Sequence, residues 1–279
     1  MRQIPTCIFS SNQPPQALHG HATDRYVQIG SLSKTLTGTA LAQLAEAGIL
    51  DVDAPVDEFL PAPPGTGITL RHLALHTSGL PRVPPGLQRR DPYVAFDAAA
   101  LQAVLAKLDS FVGTEPGSTE EYSNLGYAIL GAALVSAAGI PYQDLLTRYV
   151  LAPLDITEVS ATPPPDRSLY SRGLFGRPIR PWTMTGAILP AGGLWATPRA
   201  AARLVSALLV DRALGEPALS WQRSGNVLWH NGATGDASVF AGAVSDGRWV
   251  LVHRLSGRAD QTDTLGSTLL KQAAPSPPN

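Results

Sequence analysis

Gly30-Ser-Leu-Ser-Lys-Thr-Leu-Thr-Gly38 is the stretch on which the reading of this chain turns. Ser31 and Lys34 stand three residues apart at the start of a predicted helix, so their side chains share one helix face. A serine hydroxyl is a weak nucleophile until a neighbouring base takes its proton. A lysine amine serves as that base only when neutral, and burial or nearby positive potential lowers its pKa in that direction. The free N–H groups and positive end of a helix N-terminus also suit a developing oxyanion. Such spacing is common on surface helices, so its weight comes from the rest of the chain.

Upstream, Tyr26-Val-Gln-Ile29 reads as a short strand leading into Gly30. Downstream, Leu36, Ala40, Leu41, Leu44 and Ala45 form an apolar stripe at helical spacing, with Gly48 as C-cap. Further helices are predicted over Leu70–Pro81, Ala98–Leu108, Tyr127–Ala138, Tyr142–Val150, Pro198–Leu209 and Thr262–Ala273. Thr197 is the expected N-cap of the fifth of these, and Pro198 suits its first turn. Residues 82–92 and 160–190 are Pro-rich and read as loops. Late in the chain the pattern changes to β-rich runs at Asn226–His230, Ser238–Val244 and Trp249–His253, with Ser245-Asp-Gly247 as a hairpin turn. Helices in the middle and antiparallel strands at the end give an α+β class: an antiparallel sheet flanked by terminal helices, with an all-helical lobe inserted. The expected layout is a single domain over 1–279, with a sheet lobe of about 1–55 and 185–273, a helical lobe of about 56–184, and a disordered tail at 274–279.

The chain has 279 residues, enough to bury a substantial core. A net charge of -1 gives no electrostatic case for nucleic acid or an anionic membrane surface. No apolar run approaches the roughly 20 residues that span a bilayer. The N-terminus lacks the apolar core of a signal peptide, so a cytoplasmic location is expected. The single cysteine, Cys7, excludes an internal disulfide and a Cys-based zinc site. His72 and His76 stand i, i+4 in a predicted helix, but no third ligand is near in sequence. They are assigned to packing or hydrogen bonding, and neither a metal nor a cofactor is expected.

Three remote segments can assemble an acyl-transfer site: Ser31-x-x-Lys34, Tyr122-Ser-Asn124, and His230-Asn-Gly232 with Ala233. Such a site needs a nucleophile, a base, an oxyanion hole and an acid for the leaving group. Ser31 is the nucleophile. Lys34 and the Tyr122 phenol share the base and acid work, and a lysine ammonium beside the phenol favours its phenolate. Asn124 can hydrogen-bond Lys34 or a substrate carbonyl. Gly232 lets a strand backbone approach the substrate, so that the N–H groups of Ser31 and Ala233 form the oxyanion hole. Trp195 and Trp229 are assigned to the core, and Gly192-Gly193 is divided between pocket lining and chain turn.

The blocks IGSLSKTLTGTALAQLAEAGILDVDAPV, LRHLALHTSGLP, EPGSTEEYSNLGYAILG, LPAGGLWATPRAAARL and WHNGATG occur in that order. They resemble the serine β-lactamase-related superfamily, on the branch of class C β-lactamases, DD-peptidases and family esterases or transacylases. The resemblance covers residues 20–255 and implies a β-lactamase/transpeptidase-like fold. It implies catalysis by Ser31, Lys34 and Tyr122, with Asn124, His230, Gly232 and Ala233 binding substrate. His230 stands where class C β-lactamases carry a lysine for the acidic group of the β-lactam; a histidine is neutral or partly charged at pH 7. Only 30 residues precede Ser31, so the family's N-terminal helix and some first strands are expected to be absent or shortened. A wide, open site follows, suited to a small-molecule or carrier-bound acyl substrate. Three readings stand: a serine hydrolase or acyltransferase acting on an ester, thioester or amide; a penicillin-binding β-lactamase or DD-peptidase; and a non-catalytic ligand-binding descendant.

Overall fold

The computed structural model describes residues 3–173 and 176–273; the tail 274–279 lies outside them. In chain order the strands are β1 (Thr6–Ser10), β2 (Gln13–Leu18), β3 (Val27–Gln28), β4 (Val159–Ser160), β5 (Trp195–Ala196), β6 (Gln222–Ser224), β7 (Val227–Ala233), β8 (Ser238–Val244) and β9 (Trp249–Arg254). The α-helices are α1 (Ser33–Glu46), α2 (Leu70–Ala74), α3 (Ala98–Leu105), α4 (Asn124–Ala138), α5 (Tyr142–Leu146), α6 (Leu189–Gly192), α7 (Pro198–Val205) and α8 (Ala259–Gln272). The main sheet has the order β2-β1-β9-β8-β7-β6, antiparallel throughout. A small sheet, β3-β5-β4, pairs Gln28 with Trp195 and delivers the chain to Gly30.

β8 is buried along its whole length, so its side chains divide between two cores. Val239, Ala241 and Ala243 join the main core with α1, α4 and α7. Phe240 and Val244 turn to the opposite face and pack with Val250, Val252 and Leu270 under α8. Successive side chains of a strand point to opposite faces, which is why one unbroken apolar run serves both. Gly266 of α8 makes room there: a Cβ would come 2.2 Å from the Phe240 ring.

The α+β class holds, and the flanking helices differ in one respect. α8 covers one face, and the described chain enters the sheet through the hairpin β1–β2, where the first strands were expected to be absent or shortened. Cys7 and Phe9 of β1 are core residues, which accounts for the strand's retention.

α1 is the central helix. The expected apolar stripe is present, but Ser33, Lys34, Thr35, Thr37, Gly38 and Thr39 are buried too, so the helix has no solvent face over this half. Its polar groups are satisfied internally, as buried groups must be: Ser33 Oγ donates to Gly30 O at 2.7 Å, and Thr37 Oγ1 donates to Pro190 O at 2.8 Å. α4 is capped by Ser123, whose Oγ accepts from Gly126 N, and ends at Gly139 with φ +68°. The helix predicted at 70–81 stops at Ala74, because His76 takes a left-handed backbone (φ +61°). Thus His72 and His76 do not share a helix face, and the ligand spacing read from sequence is not realised. Among the described residues no single helix is long and apolar enough to cross a membrane.

Candidate active site

Ser31 lies in the 3-10 turn Gly30–Leu32 that leads into α1, one turn earlier than a helical position. Two glycines press strand β7 against this turn. A Cβ on Gly30 would come 2.8 Å from Ala233 N, and one on Gly232 would come 2.3 Å from Ile29 O and 2.8 Å from Ser31 N. Thr234 N donates to Ala237 O at 2.9 Å. Hydrogen-bonded pairs alternate along an antiparallel ladder, so Ala233, opposite Ser238, turns its N–H away from β8 and toward the serine turn. The Ser31 and Ala233 amides therefore meet at one place.

Lys34 is fully buried at the start of α1. Its Nζ lies 2.8 Å from Asn124 Oδ1 and 3.3 Å from Ser31 Oγ, and it donates to Ala191 O. Burial, with the Arg82 charge second, holds its pKa well below the ordinary lysine range. A neutral amine has two N–H donors and one lone pair. Asn124 Oδ1 and Ala191 O take the donors, which leaves the lone pair toward the Ser31 hydroxyl. Tyr122 Oη donates to Ser31 Oγ at 2.7 Å.

The phenolate expected from a neighbouring ammonium is not the resting state. Burial pushes the Tyr122 phenol up to about 12, against the lowering effects of its Ser31 hydrogen bond and Arg82. Desolvation penalises the charged form of an amine and of a phenol alike. Burial thus works against charge on both the amine and the phenol, with Ser31 half-buried between them.

The remaining predicted residues divide. Asn124 bridges, with Oδ1 on Lys34 and Nδ2 donating to Tyr93 Oη at 2.9 Å. Gly232 and Ala233 supply backbone, as described. His230 is buried, and its Nδ1 lies 2.6 Å from Asn231 O. Its Nε2 is buried and has no hydrogen-bond partner among the described residues. Burial first, then the Lys34 charge, lowers its pKa to about 4, so the ring is neutral at pH 7.

Several contributors were not read as functional from the sequence. His76 frames Tyr122 from both sides: its carbonyl accepts from Glu121 N at 2.7 Å, and its Nδ1 accepts from Ser123 N at 3.0 Å. The His76 and Tyr122 ring centroids are 4.5 Å apart. The block HTSGLP is thereby structural, as its assignment to hydrogen bonding implies. Arg82 places its guanidinium carbon 4.9 Å from the Tyr122 ring centroid. Ala191 contributes only its carbonyl, and a Cβ on the following Gly192 would come 3.0 Å from the end of the Met184 side chain. Trp229 stacks on Phe240 on the far face, and Trp195 meets Tyr170 edge-on. A cavity of about 600 Å³ lies on that far face beside Trp229 and Phe240. Ser31, Lys34, Tyr122, Asn124 and His230 do not line it, so chemistry and not cavity size locates the site.

The Beta-lactamase family model matches residues 13–257. The chain is 34% identical over 186 residues to the D-alanyl-D-alanine-carboxypeptidase/endopeptidase AmpH of Escherichia coli K12, covering 63% of this chain and 46% of that protein. It is 30% identical over 142 residues to penicillin-binding protein 4* of Bacillus subtilis, covering 49% and 30%. The chain thus spans less than half the length of these curated relatives. A β-lactamase/D-alanine carboxypeptidase from Yersinia pestis shares the fold with a TM-score of 0.78 at 22% identity, covering 96% of this chain and 92% of the other. The D-amino acid amidase of Ochrobactrum anthropi SV3 does so at 0.75 and 19% identity, covering 96% and 91%. With the family match running across most of its length, the chain belongs to the beta-lactamase family of serine hydrolases.

Proposed function

We propose that this protein is a serine hydrolase or acyltransferase that cleaves an ester, thioester or amide through an acyl-Ser31 intermediate. One observation carries the reading: Ser31 Oγ sits between Tyr122 Oη at 2.7 Å and Lys34 Nζ at 3.3 Å, while the donors of the amine are committed elsewhere. Lys34 takes the serine proton as Oγ bonds to the carbonyl carbon. The Ser31 and Ala233 amides receive the oxyanion. Tyr122 then gives its proton to the leaving group and is reprotonated by the Lys34 ammonium, so that amine and phenol return to their starting protonation and one proton is passed in net from serine to leaving group. Water, an amine or an alcohol releases the acyl group by the reverse relay. Asn124 fixes the amine throughout.

His230, lowered to about 4, does not supply the cation that class C β-lactamases carry at this position, which places the penicillin-binding reading second. Its support is the naming of the carboxypeptidase and penicillin-binding relatives. The half-exposed serine beside buried partners favours a carrier-bound or small-molecule acyl donor reaching the site from solvent.

The test is turnover of 4-nitrophenyl butyrate together with intact-protein mass spectrometry. We expect an acyl adduct on Ser31 and a fall of about 1,000-fold or more in kcat/KM for Ser31→Ala. Turnover unchanged in that variant would remove Ser31 as nucleophile. No turnover or adduct in the wild type would favour a ligand-binding descendant. Rapid nitrocefin hydrolysis would reverse the ranking of the two catalytic readings.

A further inference from the structure

Residues 82–93 leave the site and return to it. Asn124 N donates to Arg82 O at 2.8 Å, and Asn124 Nδ2 donates to Tyr93 Oη, so both ends of the loop are tied to one residue of the site. The loop carries Arg82, Arg89 and Arg90, all exposed, against one acid, Asp91. The Asp91 carboxylate is engaged, with Oδ1 accepting from Thr183 N at 2.8 Å. Among the described residues none of the three arginines forms an ion pair. The Arg82 guanidinium carbon lies 4.9 Å from the centroid of the Tyr122 ring, whose hydroxyl donates to Ser31 Oγ at 2.7 Å.

Burial works against charge on the bases inside the site: it holds Lys34 well below the ordinary lysine range and lowers His76 to about 3 and His230 to about 4, so both imidazoles are neutral near pH 7. A guanidinium is charged at every working pH and presents a planar fork that binds carboxylate or phosphate oxygens in pairs.

We propose that Arg82 is the specificity-determining residue of the site, selecting acyl substrates that carry an anionic group, a carboxylate or a phosphate, beside the scissile carbonyl. This rests on the acyl-Ser31 reading. Arg82 grips the anion at the mouth and sets the carbonyl over Ser31, while Arg89 and Arg90 raise the local concentration of anionic substrate.

The experiment compares 4-nitrophenyl hydrogen glutarate, its neutral methyl ester, and 4-nitrophenyl 4-phosphonobutyrate. The readout is the ratio of kcat/KM for each anionic ester to that of the neutral one. The wild type should prefer an anionic ester, and Arg82→Gln should lower the ratio about 10-fold, mostly through KM. Arg82→Lys should restore part of it. The anionic ester with the larger drop identifies carboxylate or phosphate as the group recognised. A ratio unchanged by Arg82→Gln, with all esters losing rate equally, would overturn the proposal and leave Arg82 acting only through its field on Lys34 and Tyr122. Equilibrium binding of the hydrogen glutarate and the methyl ester to Ser31→Ala, with and without Arg82→Gln, reads the same ratio without turnover. An enzyme inactive on every ester would defeat the acyl-Ser31 reading, while this binding ratio would still decide the role of Arg82.

Discussion

The two faces of the main sheet use the same device for different ends. On the face toward α1, Gly232 omits a side chain so that backbone can meet backbone, bringing β7 onto the serine turn. On the face toward α8, Gly266 omits one so that the Phe240 ring can seat against a helix. The first contact positions polar groups and the second buries apolar surface. The near face also holds buried, neutral bases, whereas the far-face cluster is aliphatic and aromatic. A glycine at a close approach therefore signals tight packing; what it packs together decides whether function or stability depends on it.

Substitutions that treat the faces alike should separate them. Lys34→Met on the near face should lower kcat/KM by about 1,000-fold or more, measured with 4-nitrophenyl butyrate. It should also change how stability depends on pH. Lys34 has a folded pKa below its unfolded value, so the unfolded state binds the extra proton, and the wild type gains stability from Lys34 as pH rises toward 10.5. Urea unfolding of wild type minus Lys34→Met should show this as a positive slope of up to about 1.4 kcal/mol per pH unit. A flat difference would mean that the buried amine is charged.

Gly232→Ala should cost about 100-fold in kcat, because the added methyl displaces the strand that brings Ala233 to Ser31. Full activity with Ala at this position would remove β7 from the oxyanion hole. Gly266→Ala should instead cost about 1–3 kcal/mol of unfolding free energy while leaving kcat per folded molecule near wild type. Loss of kcat without loss of stability would break the division between faces.

The smallest effect concerns a buried pair on the near face that is fully partnered. His21 Nε2 lies 2.9 Å from His253 Nδ1, and His253 Nε2 lies 3.0 Å from Gln28 O. Burial lowers both pKa values, to about 4 and about 3. A folded pKa below the unfolded one means stability that is complete above about 6.5 and lost as pH falls through about 4. His21→Gln should lessen this acid-side loss by about 1–2 kcal/mol, seen as a shallower fall of the urea midpoint. An unchanged acid limb would show that the pair does not titrate with folding.

Much of the candidate site was legible because its residues are side chains carried in short, ordered blocks. Ser31, Lys34, Tyr122 and Asn124 meet as their spacing and resemblance implied. Ala191 was not legible because a carbonyl carries no residue identity, and the neighbouring Gly192-Gly193 read equally as pocket lining or chain turn. Arg82 and Tyr93 were hidden in a Pro-rich loop whose periodicity is nil, and only its two attachments to Asn124 reveal their place. Helix ends were misjudged where tertiary contacts rule: α2 stops at Ala74 because His76 turns out to serve the segment at 121–123. The protonation state of Tyr122 was misjudged because burial is not visible in a spacing.

The positive φ of His76 sets two selections against each other. Glycine adopts that backbone at least cost, and asparagine next, yet only the imidazole gives Ser123 its acceptor while filling the space beside Tyr122. A library at this position screened for heat resistance should drift toward the residues that relax the chain. The same library screened for turnover should return histidine, and the gap between the two winners would measure how much rigidity the molecule gives up to keep one phenol aimed.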